Sequence, residues 1–358
     1  MFKIKIPLLA ISASIIGMMT GCQNGNGGRI PAEQIITDEQ SLTLKVGETK
    51  KIHAAVIPEN TTDTAVLYES LSPEIASVTD KGEVTGLSEG ETAIRISAGK
   101  AYSDCSVTVY SPEPPEIGDF YYSDGSWSTE LDTEKKVIGI VFWCGDPGKD
   151  DPTLRQEHPD CTNGLAIAIN GEQESGWQPY YLLYDNSISS WLDIYAPEYQ
   201  TIITETGTQE EARGNLNKMI GYNNTKAIEI FNAAPENAQW KMDAVEKAVQ
   251  YRETVPAPET SSDWYLPSAK ELTLLAYGET DKNIYYYDHY AEITEIVNQR
   301  LSLLENSQLL CTHDFIWTYW AANESNEQEA FNVSLMSGGV FYSRKGIINY
   351  YARFILAF

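Results

Sequence analysis

Basic residues are scarce in this chain: 25 Lys and Arg stand against 51 Asp and Glu over 358 residues, a formal charge of −26. Clustered Lys and Arg are what bind a phosphate backbone, so the balance argues against nucleic acid as a partner. It suits a soluble surface, or the attraction of cations and basic partners. Histidine numbers only four, and neither an H-E-x-x-H pair nor a Gly-rich phosphate loop occurs; two common routes to metal hydrolysis and nucleotide binding are therefore missing. Beyond residue 22 no apolar run reaches 18 residues, the length a membrane-crossing helix needs. Cysteine is limited to five, and no spacing among them has the form of a zinc pair.

What is present begins with a leader. Lys3 and Lys5 precede the apolar run IPLLAISASIIGMM, which closes on MTGC. A basic start, a short apolar stretch and small residues before a cysteine make a secretory signal over residues 1–22. The small residues before Cys22 resemble the lipobox of bacterial lipoproteins, with Met19 where Leu is commoner. That resemblance implies acylation of Cys22 and an exported protein held at the outer membrane by lipid, surface-exposed; the alternative is a plain signal peptide with an incidental cysteine. Loss of the leader takes the formal charge from −26 to −28, since Lys3 and Lys5 go with it. The other cysteines are Cys105, Cys144, Cys161 and Cys311. An exported compartment permits disulfides, and all three pairings of four cysteines stay open. Cys144 and Cys161 flank one acidic loop, whereas Cys105 alternates with Val107 and Val109 in CSVTV and reads as a small buried hydrophobe.

Residues 23–33 are polar and Gly-rich, the composition of a flexible tether. Residues 34–110 then alternate in the period of short strands: LTLKV, KIHAAVIP, AVLYESL, IASVT, GEVTGL, TAIRISA and CSVTVY, with turn residues between them. About seven strands in this length predict a small all-β sandwich. Gly47 and Glu48 are expected to turn a hairpin, Ile75, Ala76 and Val78 to face the core, and Gly86 to hold a φ that only glycine takes easily. The stretches LTLKVGETKKIHAAVIPENTTD, SLSPEIASVTDKGEVTGLSEGETAIRIS and CSVTVY resemble the bacterial immunoglobulin-like domain, group 2. That resemblance implies an extracellular spacer or adhesion module.

A Pro-rich linker, residues 111–117, leads to an α+β domain over 118–358. VIGIVFW and GLAIAI read as buried strands. Helices are predicted from about Gln209 to Asn232, over ENAQWKMDAVEKAVQYRE with Trp240, Ala244, Val245 and Ala248 on one face, over PSAKELTLLAYG, and over YAEITEIVNQRLSLLE. Strands return in FIWTYWAA, EAFNVSL, GGVFYS and YYARFILAF. Helices in the middle with strands at both ends predict that the two ends meet in one sheet.

DWYLPSAKEL, residues 263–272, is a rigid corner. Pro267 fixes φ and suits the first turn of a helix, Ser268 and Glu271 have capping-box spacing, and Trp264 and Leu266 alternate on a strand. These four positions, Trp264, Leu266, Pro267 and Glu271, read as scaffold. With IWTYWAANES, EAFNVSLMSGGVFYSRKG and YYARFILAF they resemble a family of exported bacterial domains with the pattern W-x-L-P-x-x-x-E-L, whose fold is C-type-lectin-like. GDFYYSDGSWS, IGIVFWCGDP, HPDCTNGLAIAI and IGYNNTKAIEIFN agree with segments of surface lipoproteins of Gram-negative gut bacteria, some of them fimbrial tip or accessory subunits. The resemblance implies a multidomain protein, an immunoglobulin-like sandwich followed by a C-type-lectin-like α+β domain. Its implied work is adhesion or fimbria-like assembly, with surface or pilus subunits, a glycan or a host matrix ligand as partner.

No metal site, cofactor or catalytic residue is assigned. Asp146, Asp150, Asp151 and Asp160, with Glu157 and His158, crowd the loop CGDPGKDDPTLRQEHPDC, but their spacing fits no calcium loop. The Glu-Pro-Asn and Trp-Asn-Asp signatures of calcium-dependent sugar binding are absent, and TYWAANES takes the place of the second without its Asp. Cys311 lies two residues from His313, a spacing that admits a dyad on a strand, but no orienting group is apparent and buried packing is the plainer role. The paired cysteines of formylglycine-generating enzymes are also missing. A non-enzyme is expected; a polysaccharide-binding or polysaccharide-degrading surface protein is the alternative. Among 22 tyrosines, the cluster YYYDHY offers Tyr285, Tyr286, Tyr287 and Tyr290 as ligand contacts, with packing at a helix start as the competing role.

Overall fold

The computed structural model describes residues 28–111, 113–179, 187–199, 215–311, 317–347 and 350–358. The chain divides after Glu113 into two compact units, each considered alone.

The first unit builds nine strands among its described residues: β1 (Gln34–Thr37), β2 (Ser41–Lys45), β3 (Thr49–Lys51), β4 (Ala54–Ile57), β5 (Leu67–Ser70), β6 (Ala76–Val78), β7 (Glu83–Gly86), β8 (Gly90–Ala98) and β9 (Ala101–Tyr110). One sheet runs β2-β9-β8-β5, a second β3-β7-β6, and β1 pairs with β4. Leu44, Ile52, Val84, Ile94, Ile96, Cys105 and Val107 fill the space between them. The alternation read in the sequence is the pleat: in β9 every second residue from Ala101 is inward except Ser103.

Four details differ from the sequence reading. The segment KIHAAVIP is two strands, β3 and β4, because Ile52 turns its N–H to Gly82 and His53 its N–H to Asp38. The Gly47–Glu48 turn, with Gly47 at φ +88°, carries the chain between sheets and not along a hairpin. Residues 30–33, read as tether, are docked: Ile30 O accepts from Thr62 N at 2.8 Å, Glu33 N donates to Ile57 O at 2.8 Å, and Ala32 is buried. Gly86 has no positive φ; that role falls to Gly82, at +79°. A Cβ on Gly86 would stand 2.9 Å from both Lys45 O and Val109 Cγ1, so space between the sheets demands the glycine.

The second unit opens within the predicted linker, with Glu116 N donating to Asp119 Oδ2. Its strands are β10 (Phe120–Tyr122), β11 (Trp127–Ser128), β12 (Val137–Cys144), β13 (Gly164–Ala168), β14 (Gln173–Ser175), β15 (Thr318–Glu324), β16 (Glu329–Ser334), β17 (Val340–Arg344), β18 (Tyr350–Ala352) and β19 (Ile355–Ala357). Among the described residues six helices accompany them: α1 (Pro152–Glu157), α2 (Ile188–Tyr195), α3 (Gly221–Ala233), α4 (Asp243–Thr254), α5 (Ala269–Tyr277) and α6 (Glu292–Leu301). The helix read from Gln209 is described only from Gly221, since residues 200–214 lie outside the described ones, and Trp240 precedes α4 instead of lying on its face.

Two five-stranded sheets result, β11-β10-β12-β13-β19 and β14-β18-β15-β16-β17. In the first, strands from both ends of the unit meet, as the strand–helix–strand order implied. Val137, Ile140 and Phe142 of β12 enter one core while Ile138 and Val141 enter a second. A sheet covered on both faces needs apolar side chains at every position, which is why VIGIVFW shows no polar alternation. Among the described residues no helix is long and apolar enough to cross a membrane.

Gly86→Ala is expected to destabilise the first unit by about 1–3 kcal/mol through overpacking, seen as a lower urea midpoint. Gly47→Ala, where nothing lies within 4 Å of the added carbon, should cost only the strain of its φ.

Candidate functional site

The corner at 263–268 is built from backbone anchors. Trp264 is fully buried, and its Nε1 donates to Val255 O at 2.8 Å. Tyr265 and Ile355 exchange N–H···O bonds at 2.9 and 3.0 Å. Leu266 N donates to Thr225 Oγ1, and Pro267 O accepts from Ala322 N at 2.8 Å. Pro267 stands just before the N-cap, one step outside the first turn expected for it; Ser268 is the cap of α5, and Glu271 completes the capping box. Glu271 Oε2 accepts from Ser268 N at 2.6 Å and Oε1 from Tyr265 OH at 3.0 Å. Burial pushes this carboxyl up to about 7. Gly221 closes the arrangement from α3, where a Cβ would collide with Glu271 Oε2 and with the Ser268 nitrogen.

The acidic loop spends its carboxylates on folding. Asp146 caps a 3-10 turn at Pro147–Lys149 and pairs with Arg155. Asp150 Oδ2 accepts from Met219 N at 3.1 Å. Asp151 caps α1 through Leu154 N at 2.9 Å and also accepts from Asn223 N at 2.8 Å; burial raises its carboxyl to about 6. Asp160 is exposed. Glu157 accepts from Tyr222 OH at 2.7 Å, and His158 Nε2 meets the same hydroxyl at 3.0 Å, with desolvation holding the imidazole below its ordinary value. Among the described residues no three His, Cys, Asp or Glu side chains converge as cation ligands.

Cys105, Cys144, Cys161 and Cys311, the cysteines among the described residues, are free thiols. Cys144 is exposed at the end of β12, whereas Cys161 is buried with its Sγ facing Thr260 O at 3.8 Å, so the pair flanking the acidic loop is unjoined. Burial lifts the Cys311 thiol to about 12, far from the thiolate a nucleophile needs. His313 lies outside the described residues.

Tyr285 and Tyr287 are half-buried, the first edge-on to Phe331 and the second edge-on to Tyr277. Tyr286 and Tyr290 face solvent at 57% and 59% exposure, Tyr290 with its hydroxyl on Glu295. Two rings of the cluster thus pack against neighbours and two face solvent. Directly before it lies a cleft of about 390 Å³. Asp150 comes to it from the acidic loop, Asn217 and Met219 from the approach to α3, Lys270 from α5, and residues 279–283 from the loop after α5. Lys270 Nζ donates to Glu279 Oε2 at 3.0 Å, and Trp143 Nε1 to Glu279 Oε1 at 2.9 Å. Asn283 Oδ1 accepts from Tyr285 N, and Lys282 lies 4.5 Å over the Tyr287 ring. Of these residues only Asp150 stood out in the sequence; Lys270 beside the capping Glu271 was the available signal for the rest.

Residues 31–109 match the family model of the bacterial Ig-like domain (group 2). Over 244 residues the chain is 25% identical to a Bacteroides ovatus protein described as a fimbrium tip subunit, Fim1C, a match covering 61% of this chain and 40% of that one. The chain thus spans two fifths of that relative's length. An uncharacterized protein of Clostridium acetobutylicum is 30% identical over 76 residues, covering 20% of this chain and 19% of its own. The crystal structure of a fimbrial protein from Bacteroides ovatus superposes with a TM-score of 0.54 at 17% identity, covering 92% of this chain and 71% of that one. The last similarity is one of fold.

Glu271 and Asp151 carry a pH prediction. Both carboxyls are raised by folding, so each contributes stability that is full below its unfolded value and is lost as pH rises through its folded value. For Glu271 that window runs from 4.5 to about 7, worth about 3 kcal/mol at 1.36 kcal/mol per unit. Denaturant melts between pH 4.5 and 8 should show stability falling with pH, and Glu271→Gln should remove this share of the slope.

Proposed function

We propose that this protein is a surface subunit of a fimbria-like structure. It is anchored through a lipid on Cys22 at the outer membrane, and its second unit is a C-type-lectin-like head that meets a ligand or a neighbouring subunit. The observation that carries the reading is the 244-residue match to the fimbrium tip subunit, which extends well beyond the Ig-like residues. The motif order around Trp264 and the pairing of β13 with β19 support the head assignment. Exposed Tyr286, Tyr290, Phe341 and Tyr342 support a contact role, since aromatic rings offer rigid apolar faces with little entropy to lose. The scaffold duties of Asp146, Asp150, Asp151 and Glu271, and the high value of the Cys311 thiol, favour binding over an enzyme acting on polysaccharide.

In a producing cell fed an alkynyl fatty acid, the chain should take up label and Cys22→Ser should lose it. Sheared surface filaments, isolated through an antibody to this chain, should contain a second, repeating subunit. Recovery of the chain alone in every fraction would remove the assembly reading.

A further inference from the structure

We propose that Lys345 and Glu324 join in an intramolecular amide bond, a covalent clasp between the end of β15 and the residue after β17 that forms once the second unit has folded. Both side chains are fully buried, and Lys345 Nζ pairs with Glu324 Oε1. An amine is a nucleophile once it has given up its extra proton, and a carboxyl carbon is an electrophile it can attack. Packed against each other away from water, the two groups are a complete set of reactants.

The surroundings favour the uncharged forms that react. Two charges are costly away from water, and passing one proton from Nζ to Oε1 turns the ion pair into a neutral amine beside a neutral acid. Burial holds the Lys345 ammonium below its ordinary value, although the carboxylates of Glu324 and Glu327 pull the other way. The fully buried ring of Trp177 lies over Nζ, 4.8 Å from its centroid, and covers that side of the amine.

Glu324 is polarised from the helix side. Ile188 N donates to Oε1 and Ser189 N to Oε2, both at 2.9 Å. These are the first N–H groups of α2, at the end of the helix that favours negative charge. As Nζ adds to Cδ, negative charge grows on Oε2, where Ser189 N already points. The atoms balance without a co-reactant. The Nζ–Cδ bond forms and the Cδ–Oε1 bond breaks. Oε1 leaves as water with two protons from Nζ, the third proton stays on the amide nitrogen, and Oε2 remains as the amide oxygen.

The backbone holds both reactants in place. Lys345 N donates to Gln328 O at 3.1 Å, and Lys345 O accepts from Trp177 N at 3.0 Å and Gln178 N at 3.3 Å. Glu324 is paired with Ala330 in the β15–β16 ladder. Groups held so that they can react reach effective concentrations of roughly 10⁵–10⁸ M. The dry site also keeps away the water that would reverse the reaction. The bond closes β16 and β17 into a covalent ring, so that tension on the chain cannot draw those two strands out.

The test is the mass of the full mature chain, residues 23–358, folded and then denatured. It should lie below the sequence mass by one water molecule, and tandem mass spectrometry of a protease digest should place the join between Glu324 and Lys345. Lys345→Arg keeps the positive charge but has no amine to acylate; it should show the full sequence mass and no branched peptide. A folded wild-type chain that keeps its full mass through prolonged incubation at neutral pH overturns the assignment. So does a water loss that maps to other residues or persists in Lys345→Arg. The wild-type mass decides the question even where the variant does not fold.

Discussion

A carboxyl group without water is the constraint around which the second unit is arranged. Glu271 is 2% exposed, and a buried carboxyl is tolerable only with its acceptor sites filled. Ser268 N–H and Tyr265 O–H fill them. Those two bonds fix the angle between the segment 263–267 and α5. The segment in turn holds β19 through Tyr265 and Ile355, β15 through Pro267 and Ala322, and α3 through Leu266 and Thr225. Gly221 is the space this arrangement requires. Lys270 directly precedes Glu271 on α5, so the same cap that orders the core also positions the wall of the cleft.

Other charges are buried on the same terms. Glu324 and Lys345 pair with both side chains fully buried, and Glu324 also accepts from Ile188 N and Ser189 N at 2.9 Å. A strand residue thereby serves the start of α2, whose first N–H groups need acceptors. Arg353 donates to Ala168 O and Gln308 O, both at 2.9 Å, between β13 and the loop after α6. Such groups add little net stability compared with apolar packing, but a misplaced strand would leave them unpaired at high cost. They penalise wrong registers in a unit where β12 and its neighbours, apolar at every position, would otherwise slip easily.

Legibility in the sequence followed the range of the interaction. The sandwich strands announced themselves by alternation, and the α5 cap by the spacing of Ser268 and Glu271, because both are local. Strand β1, inside the sandwich range but absent from the strands read there, gives no signal of its own, since its partner β4 lies some twenty residues on and its pattern is short. Gly86 suggests a special φ by its place at a strand end, but its reason is the approach of Lys45 and Val109 from elsewhere in the chain. The acidic loop looked like a ligand set because carboxylates are close in sequence, yet Asp146, Asp150 and Asp151 each turn to a different backbone amide. The cleft was invisible for the converse reason: Asp150, Asn217, Lys270 and Asn283 come from four separated stretches, and only the folded chain brings them together.

The pairing of β13 with β19 has a consequence for the order of events in making this protein. A polypeptide delivered N-terminus first, from a ribosome or an exit pore, holds β10, β12 and β13 long before residues 355–357 emerge. Until then one border of that sheet is open, and the corner at Tyr265 lacks its bridge. Closure over nearly two hundred residues is entropically slow. The first sheet of the second unit is therefore complete only once residues 355–357 are available to β13, however early its other strands form.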